Sequence, residues 1–87
     1  MKVAVWDTYV HRDNGQVMHF DVLVPIELKD AGRVYDFANQ YLETKQFKAE
    51  NVRSDKCLFC HIEEAGEEVS SSIDRKGYFI IELENCS

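Results

Sequence analysis

Two runs of residues at the start of the chain have the composition of β-strands. Residues 2–10 and 16–24 are rich in valine, aromatic and other side chains that suit a pleated, half-buried surface. Asn14 and Gly15 stand between the runs, and both residue types tolerate the positive φ angles of a two-residue type I′ turn. The sequence therefore predicts a β-hairpin at the start of the fold.

The length of the predicted turn sets which side chains of the hairpin share a face. If Asn14 and Gly15 form the whole loop, Tyr9 lies opposite Phe20, and the alternation of side chains follows from that pair. The predicted core face then carries Val3, Val5, Tyr9, Met18, Phe20, Val22 and Val24. The predicted opposite face carries Trp6, Thr8, His19, Asp21 and Leu23.

Asp7 falls on the core side of this predicted hairpin, between Val5 and Tyr9. A carboxylate is costly in such a place unless it accepts hydrogen bonds from backbone amides or a tyrosine hydroxyl. We therefore expect a structural role for Asp7 rather than a catalytic one.

The rest of the chain predicts two helices and two further strands. Asp30 suits the N-cap of a helix at about 30–45, in which apolar residues recur at helical spacing. A short strand is predicted at about 51–54, centred on Val52. A second helix at about 66–76 ends at Gly77, and alternating apolar residues predict a closing strand at about 78–84.

The predicted order is strand, strand, helix, strand, helix, strand, within one domain that covers residues 1–87. A hairpin followed by two helical crossovers favours a two-layer α+β fold, with a mixed sheet and both helices on one face. With 45% apolar residues, a chain of 87 residues can bury one core.

The charge balance argues against some classes of partner. Sixteen acidic and ten basic residues give a formal charge of −6, and no basic run is interleaved with aromatic residues. Nucleic acid is therefore not an expected partner. A run of only four apolar residues precedes Asp7, too few for a signal-peptide core or a membrane span, so we expect a cytoplasmic protein.

The segment Cys57-Leu58-Phe59-Cys60-His61 has the most distinctive chemistry in the sequence. Two thiols separated by two residues have the spacing of a zinc knuckle, in which each sulfur binds the metal at about 2.3 Å. A tetrahedral site needs two further ligands. His61 and Cys86 are the available candidates, with His19 in reserve. The prediction is a zinc site formed by Cys57, Cys60, His61 and Cys86.

Three other interpretations of this segment stay open. Cys57 and Cys60 could cycle between dithiol and disulfide beside Lys56, although no parallel βαβ unit precedes them. The residues also match the haem-attachment pattern Cys-x-x-Cys-His, but that chemistry needs export to an oxidising compartment. Finally, the thiols could be buried small hydrophobes, with His61 at the surface.

The predicted outer face of the hairpin suggests two more possibilities. His19 and Asp21 share that face with Thr8, which would allow a small proton-handling cluster. Alternatively, Trp6, His19 and Leu23 would form a patch that binds a protein partner or a second copy of the chain.

Several runs of the sequence together resemble a known family. They are Asp7-Thr8-Tyr9-Val10, Val17-Met18-His19-Phe20-Asp21-Val22, Cys57-Leu58-Phe59-Cys60-His61 and Gly77-Tyr78-Phe79-Ile80, with Cys86 near the end. In this order they are similar to the small bacterial family called domain of unknown function 2024, over nearly the whole chain. The resemblance implies a single bacterial α+β domain and brings no activity, substrate or catalytic residue.

Two functional hypotheses follow from the residues. The first is a small bacterial, non-enzymatic interaction module that zinc stabilises. The alternative is a thiol-dependent redox protein or enzyme that uses Cys57 and Cys60.

Overall fold

Six elements follow one another in the predicted order in the computed structural model, which describes all 87 residues. They are β1 (Lys2–His11), β2 (Val17–Pro25), α1 (Ala31–Glu43), β3 (Cys57–Glu64), α2 (Glu67–Lys76) and β4 (Phe79–Glu84). The predicted α+β class and the order of its elements are confirmed.

The four strands form one sheet in the order β3-β1-β2-β4, and every neighbouring pair is antiparallel. The prediction of a mixed sheet is therefore wrong. Each helical connection leads the chain to an outer edge of the hairpin, β3 beside β1 and β4 beside β2. Strands that run in the same direction are consequently never neighbours, despite the two crossovers.

The loop of the hairpin has three residues, Asp13, Asn14 and Gly15, instead of the predicted two. The Arg12 N–H donates to the Gln16 carbonyl oxygen at 2.8 Å and closes the ladder before the loop. Within the loop, the Gly15 N–H donates to the Arg12 carbonyl oxygen at 3.0 Å, and Gly15 takes a φ of 88°. A turn followed by a left-handed glycine is the common form of a three-residue hairpin loop.

The extra loop residue moves the pairing of the strands by one position. Tyr9 lies opposite His19, so the predicted pairing of Tyr9 with Phe20 is wrong. A slip of one residue turns every side chain of one strand to the other face. The β2 residues of the predicted core face are buried together as expected. Three β1 residues predicted to join them lie on the other side: Val3, Val5 and Tyr9.

Each side of the sheet has its own set of residues, because side chains alternate along a strand. The side that packs against α1, here called the α1 face, carries Ala4, Trp6, Thr8, Val10, Met18, Phe20, Val22 and Val24. The other side, here called the α2 face, carries Val3, Val5, Asp7, Tyr9, His19, Asp21 and Leu23.

Helix α1 covers the larger core. Asp30 caps its N-terminus, as predicted, and accepts a hydrogen bond from the Gly32 N–H at 2.9 Å. The buried side chains of the helix pack on the α1 face, where Phe20 is fully buried and its ring lies 4.7 Å from that of Tyr41. At 13 residues α1 is the longer helix, and neither helix has the length and apolar character to cross a membrane.

Helix α2 packs on the opposite side, so the prediction of both helices on one face is wrong. Its Ile73 forms a second buried cluster with Val3, Val5 and Leu23. The register of the hairpin places these three side chains on the α2 face. Packing against α2 removes their apolar surface from water, which is favourable. The sheet therefore lies between two helices, in three layers rather than two. Gly77 ends α2 as predicted, with a φ of 93°.

The strand predicted at 51–54 is absent, and the cysteine segment forms β3 instead. Val52 lies in a loop, buried at 6% exposure, and its N–H donates to the Asn39 side-chain oxygen at 2.9 Å. In β3 only the first residue, Cys57, is buried, so the strand lacks the alternation that makes a strand recognisable in sequence.

Candidate functional site

Helix α2 covers one end of the α2 face of the sheet and leaves the other end open. Leu23 is 2% exposed in the cluster beneath the helix, whereas Tyr9, further along β1, is 43% exposed. Three side chains that can bind a metal lie in the open part. One ligand atom of each lies within 4.8 Å of the other two. We call this group, which consists of Asp7, His19 and Asp21, the Asp-His-Asp cluster.

The two carboxylates of the cluster face each other across the hairpin, because Asp7 on β1 and Asp21 on β2 are register partners. The same row continues to Leu58 on β3 and to Ile81 on β4, so apolar residues flank the carboxylates on both sides. Like charges directly opposite each other on neighbouring strands destabilise a sheet. A shared proton or a bound cation would remove this repulsion.

His19 is held in place by neighbours on three sides. Its Nε2 lies 3.3 Å from Asp7 Oδ1, and its Nδ1 lies 3.8 Å from a carboxylate oxygen of Glu84. The Tyr9 ring stacks on the imidazole with 4.1 Å between the ring centroids. The side chain of His19 is only 17% exposed, so the ring presents one nitrogen to the carboxylates of the cluster in a fixed orientation.

The pKa values of the two carboxylates shift in opposite directions. Burial, followed by the hydrogen bond to Asp7 and its charge, raises the pKa of Asp21 to about 6. The pKa of Asp7 is lowered, first by its hydrogen bond with Asp21 and then by its contacts with His19. Asp21 Oδ1 is buried and has no hydrogen-bond partner. The pair is therefore suited to share one proton, and it keeps an unused acceptor.

The structure separates the two cysteines of the Cys-x-x-Cys motif. Both belong to β3, where residues three apart point to opposite faces. Cys57 is fully buried on the α1 face and accepts a hydrogen bond from the Thr8 hydroxyl at 3.3 Å. Burial raises the pKa of its thiol, which favours the protonated form. Cys60 is exposed, and neither thiol forms a disulfide.

The other two predicted zinc ligands do not complete a site with these cysteines. Cys86 is buried with the core on the α1 side, and its thiol donates to the His19 carbonyl oxygen at 3.5 Å. His61 lies beside Cys60, with its Nδ1 3.1 Å from that sulfur. The structure thus brings Cys60 and His61 together and leaves Cys57 and Cys86 elsewhere. The reserve ligand, His19, belongs to the Asp-His-Asp cluster.

The surface predicted from Trp6, His19 and Leu23 is divided between the two faces of the sheet. Trp6 lies on the α1 face, where its ring contacts those of Tyr35 and Phe59. Leu23 is buried beneath α2. The prediction of this partner surface is wrong because it depended on the slipped register. The proposed grouping of Thr8 with His19 and Asp21 fails for the same reason.

Asp7 is the residue of the cluster that the sequence argument misplaced. Its side chain is 37% exposed, and its neighbours are His19 and Asp21 rather than backbone amides or a tyrosine hydroxyl. The available signal was the loop sequence Asp13-Asn14-Gly15, since a three-residue loop with glycine last gives the observed neighbours.

These features define a small α+β domain whose antiparallel sheet carries potential metal ligands on its open face. A family model described as "Domain of unknown function (DUF2024)" matches residues 1–83. The chain belongs to this family, as its sequence motifs predicted. The family description names no activity, so the function must be argued from the site.

A solved structure is similar to this chain along its whole length. The NMR structure of protein NE1680 from Nitrosomonas europaea matches with a TM-score of 0.79 and 39% sequence identity. The match covers 100% of each chain. The comparison with curated proteins gives no match.

Proposed function

We propose that this domain binds a divalent transition-metal ion at the Asp-His-Asp cluster. The observation that carries the proposal is the convergence of Asp7, His19 and Asp21, whose ligand atoms lie within 4.8 Å of one another. Bonds from zinc to nitrogen and oxygen are about 2.0–2.2 Å long, so ligand atoms around one ion are roughly 3–4 Å apart. Small side-chain rotations would therefore bring all three atoms to a single ion.

The electrostatics of the two aspartates support a cation at this position. Asp7 and Asp21 are directly opposite each other, and the Oδ1 atom of Asp21 is buried without a partner. A buried acceptor without a partner costs free energy, as does the repulsion between two opposed carboxylates. A divalent ion between them would remove both costs, because it would bond to oxygens of both aspartates.

The surroundings of His19 also suit a metal ligand. Nε2 points toward Asp7, while Nδ1 lies 3.8 Å from Glu84 on the other side of the ring. Histidines that bind metals usually donate their second ring N–H to a carboxylate or a carbonyl, which fixes the tautomer. Glu84 would serve as this outer partner after a small closing movement.

The donor set indicates which ions fit. One imidazole nitrogen and two carboxylate oxygens suit zinc and the neighbouring first-row divalent metals better than calcium, which prefers six to eight oxygens. Zinc therefore remains the proposed cofactor, with His19 in place of the buried thiols of Cys57 and Cys86. Three protein ligands leave room for a further one.

Isothermal titration calorimetry of metal-free protein with zinc at neutral pH tests this proposal. The wild type should bind close to one equivalent, and His19→Gln should weaken binding at least about tenfold, since even loss of an outer-shell partner typically costs 10–100-fold. The matched control is His11→Gln, because His11 lies on the same sheet but pairs with Glu50. Absence of zinc binding by the wild type, or equal effects of the two variants, would overturn the proposal.

A second candidate function is self-association through the outer edge of β3. Three apolar residues of this edge strand, Leu58, Phe59 and Ile62, are more than half exposed, at 58%, 52% and 54%. Phe59 and Ile62 also line an apolar groove of about 300 Å³ beside Trp6. Exposed edges with apolar side chains are places where a further chain can pack.

We propose that a second copy of the chain covers this edge. Two copies of β3 packed antiparallel would place Lys56, before one strand, near Glu64 at the end of the other, so opposite charges would meet at both ends. Analytical ultracentrifugation should show a dimer for the wild type and for Leu83→Lys on β4. It should show a monomer for Ile62→Lys. A wild type that is monomeric at every concentration would exclude this dimer.

A further inference from the structure

Alternation along β3 places Cys60 on the side of the sheet that carries the Asp-His-Asp cluster, and a β-bulge at this point keeps His61 on the same side. Phe59 pairs with Trp6 and His61 pairs with Val5, so Cys60 is an extra residue between consecutive positions of β1. Bulges are common next to functional sites, where they redirect a side chain. As a result, Cys60 and His61 both lie toward the α2 face, although they are neighbours in sequence.

Cys60 is a neighbour of the cluster on the same side of the sheet. It follows Leu58, the register partner of Asp7, by two residues, so Asp7 and Cys60 are diagonal neighbours on one face. The side chain of Cys60 therefore lies beside the Asp-His-Asp cluster.

His61 and Glu63 hold the thiol from the other side. His61 Nδ1 lies 3.1 Å from Cys60 Sγ, and His61 Nε2 lies 2.7 Å from a carboxylate oxygen of Glu63. The imidazole is thus fixed between the sulfur and a carboxylate, as outer partners of metal ligands commonly are. The other two thiols of the protein, Cys57 and Cys86, are buried in the core on the α1 side and have no such contact.

From this geometry we infer that Cys60 Sγ is the fourth protein ligand of the metal, which completes an Asp-His-Asp-Cys set. The inference rests on the proposed function and adds a ligand to it. On binding, the sulfur forms its bond to the metal and releases the thiol proton to solvent, with no change of oxidation state. A thiolate directs selection toward zinc and cobalt and away from magnesium and calcium, which prefer oxygen ligands alone.

Cobalt(II) is the probe that tests this ligand directly, because a cobalt–thiolate bond gives a charge-transfer band in the near ultraviolet. Metal-free wild type, Cys60→Ser, Cys57→Ala and Cys86→Ala are titrated with cobalt chloride at neutral pH. The band should appear in the wild type and in the two alanine variants and be absent from Cys60→Ser. Zinc competition should show that Cys60→Ser binds zinc at least about tenfold more weakly than the wild type, since even loss of an outer-shell partner typically costs 10–100-fold in affinity.

The possible results separate this inference from the proposal on which it rests. Cobalt that binds wild type without the charge-transfer band would overturn the role of Cys60 and leave the site of Asp7, His19 and Asp21 intact. A band that survives in Cys60→Ser and disappears in Cys57→Ala or Cys86→Ala would also overturn it. Binding of neither cobalt nor zinc by the wild type would overturn both. Circular dichroism of each variant confirms that it is folded before titration.

Discussion

Asp7 and Asp21 lie directly opposite each other on adjacent antiparallel strands, with two carboxylates in the middle of a four-residue row that begins and ends with apolar side chains. Such a pair is unfavourable without a proton or a cation to share. The proposed metal site explains it.

Replacement of one of these carboxylates should stabilise the metal-free protein. In Asp21→Asn the repulsion is lost and the amide can donate to Asp7, so the free energy of unfolding at neutral pH should rise by about 0.5–1 kcal/mol. Urea denaturation in the presence of a chelator measures it. The exposed acid Asp13, in the hairpin loop, supplies the control Asp13→Asn, which should change stability little. A less stable Asp21→Asn would show that the carboxylate is instead a structural acceptor.

The observed register of the hairpin is tested by two neighbouring residues. Val10 is 1% exposed and Tyr9 is 43% exposed, whereas a two-residue loop would bury Tyr9. Val10→Ser should cost about 2–4 kcal/mol through lost burial and an unpaired hydroxyl. Tyr9→Ser loses mainly its stacking on His19, worth no more than about 1.5 kcal/mol. Thermal unfolding that ranks the two variants in the opposite order would contradict this register.

Glu82 should make the stability of the protein depend on pH. Its carboxylate accepts hydrogen bonds from Lys45 and from the Tyr41 hydroxyl, and these contacts hold the pKa of Glu82 below its ordinary value. A lowered pKa in the folded state stabilises the protein above the unfolded pKa, and this contribution is lost as the pH falls through the folded value.

The variant Glu82→Gln should therefore be less stable than the wild type at pH 7, and the difference should shrink once the pH falls below the ordinary glutamate pKa of about 4.5. Melting temperatures across this range measure the difference. Exposed Glu27 gives the control Glu27→Gln. A difference in melting temperature that stays constant with pH would mean that Glu82 contributes to stability through its shape rather than its charge.

The end of α2 depends on a glycine. Gly77 has a φ of 93°, and a Cβ placed on it would lie 3.0 Å from Cζ of Phe37. Gly77→Ala should cost at least about 1–2 kcal/mol, because a side chain is disfavoured in the left-handed region and would also press on Phe37. Gly66, before the same helix, has open space around it and an ordinary φ of −77°, so Gly66→Ala should be tolerated. Chemical denaturation of the two variants compares them.

Local signals in the sequence predicted the elements well. Asp30 has the side chain that an N-cap requires, and Gly77 has the backbone freedom that a left-handed residue after a helix requires. The start of α1 and the end of α2 were therefore predicted within about two residues. These features depend on residues that are close in sequence. The positions of helices and strands follow from them without knowledge of the rest of the fold.

Features that depend on the hairpin loop were predicted less well. Asn14-Gly15 favours a two-residue turn when considered alone, but Asp13 joins the loop and shifts the pairing by one residue. That single step moved Asp7 away from His19 and Asp21 in the predicted arrangement. Pairing between strands joins residues that are distant in sequence, so an error in the loop reaches every one of them.

The spacing of Cys57 and Cys60 suggested two neighbouring thiols, and the structure separates them for a different reason. Two residues between cysteines bring the thiols together only when the chain turns between them, as in a zinc knuckle. Here the segment is a strand, so the two thiols point apart. The bulge that leaves Cys60 and His61 on one side of the sheet has no recognisable mark in the sequence.

The central claim is that His19 binds the metal together with Asp7 and Asp21, and the side-chain ¹⁵N signals of the three histidines test it most directly. Long-range ¹H–¹⁵N spectra of labelled, metal-free protein are recorded before and after one equivalent of zinc. The account predicts a large shift of His19 Nε2, with His11 unaffected and His61 changed only slightly as a neighbour of Cys60. Zinc that shifts His61 or His11 while the His19 signals stay in place would contradict it.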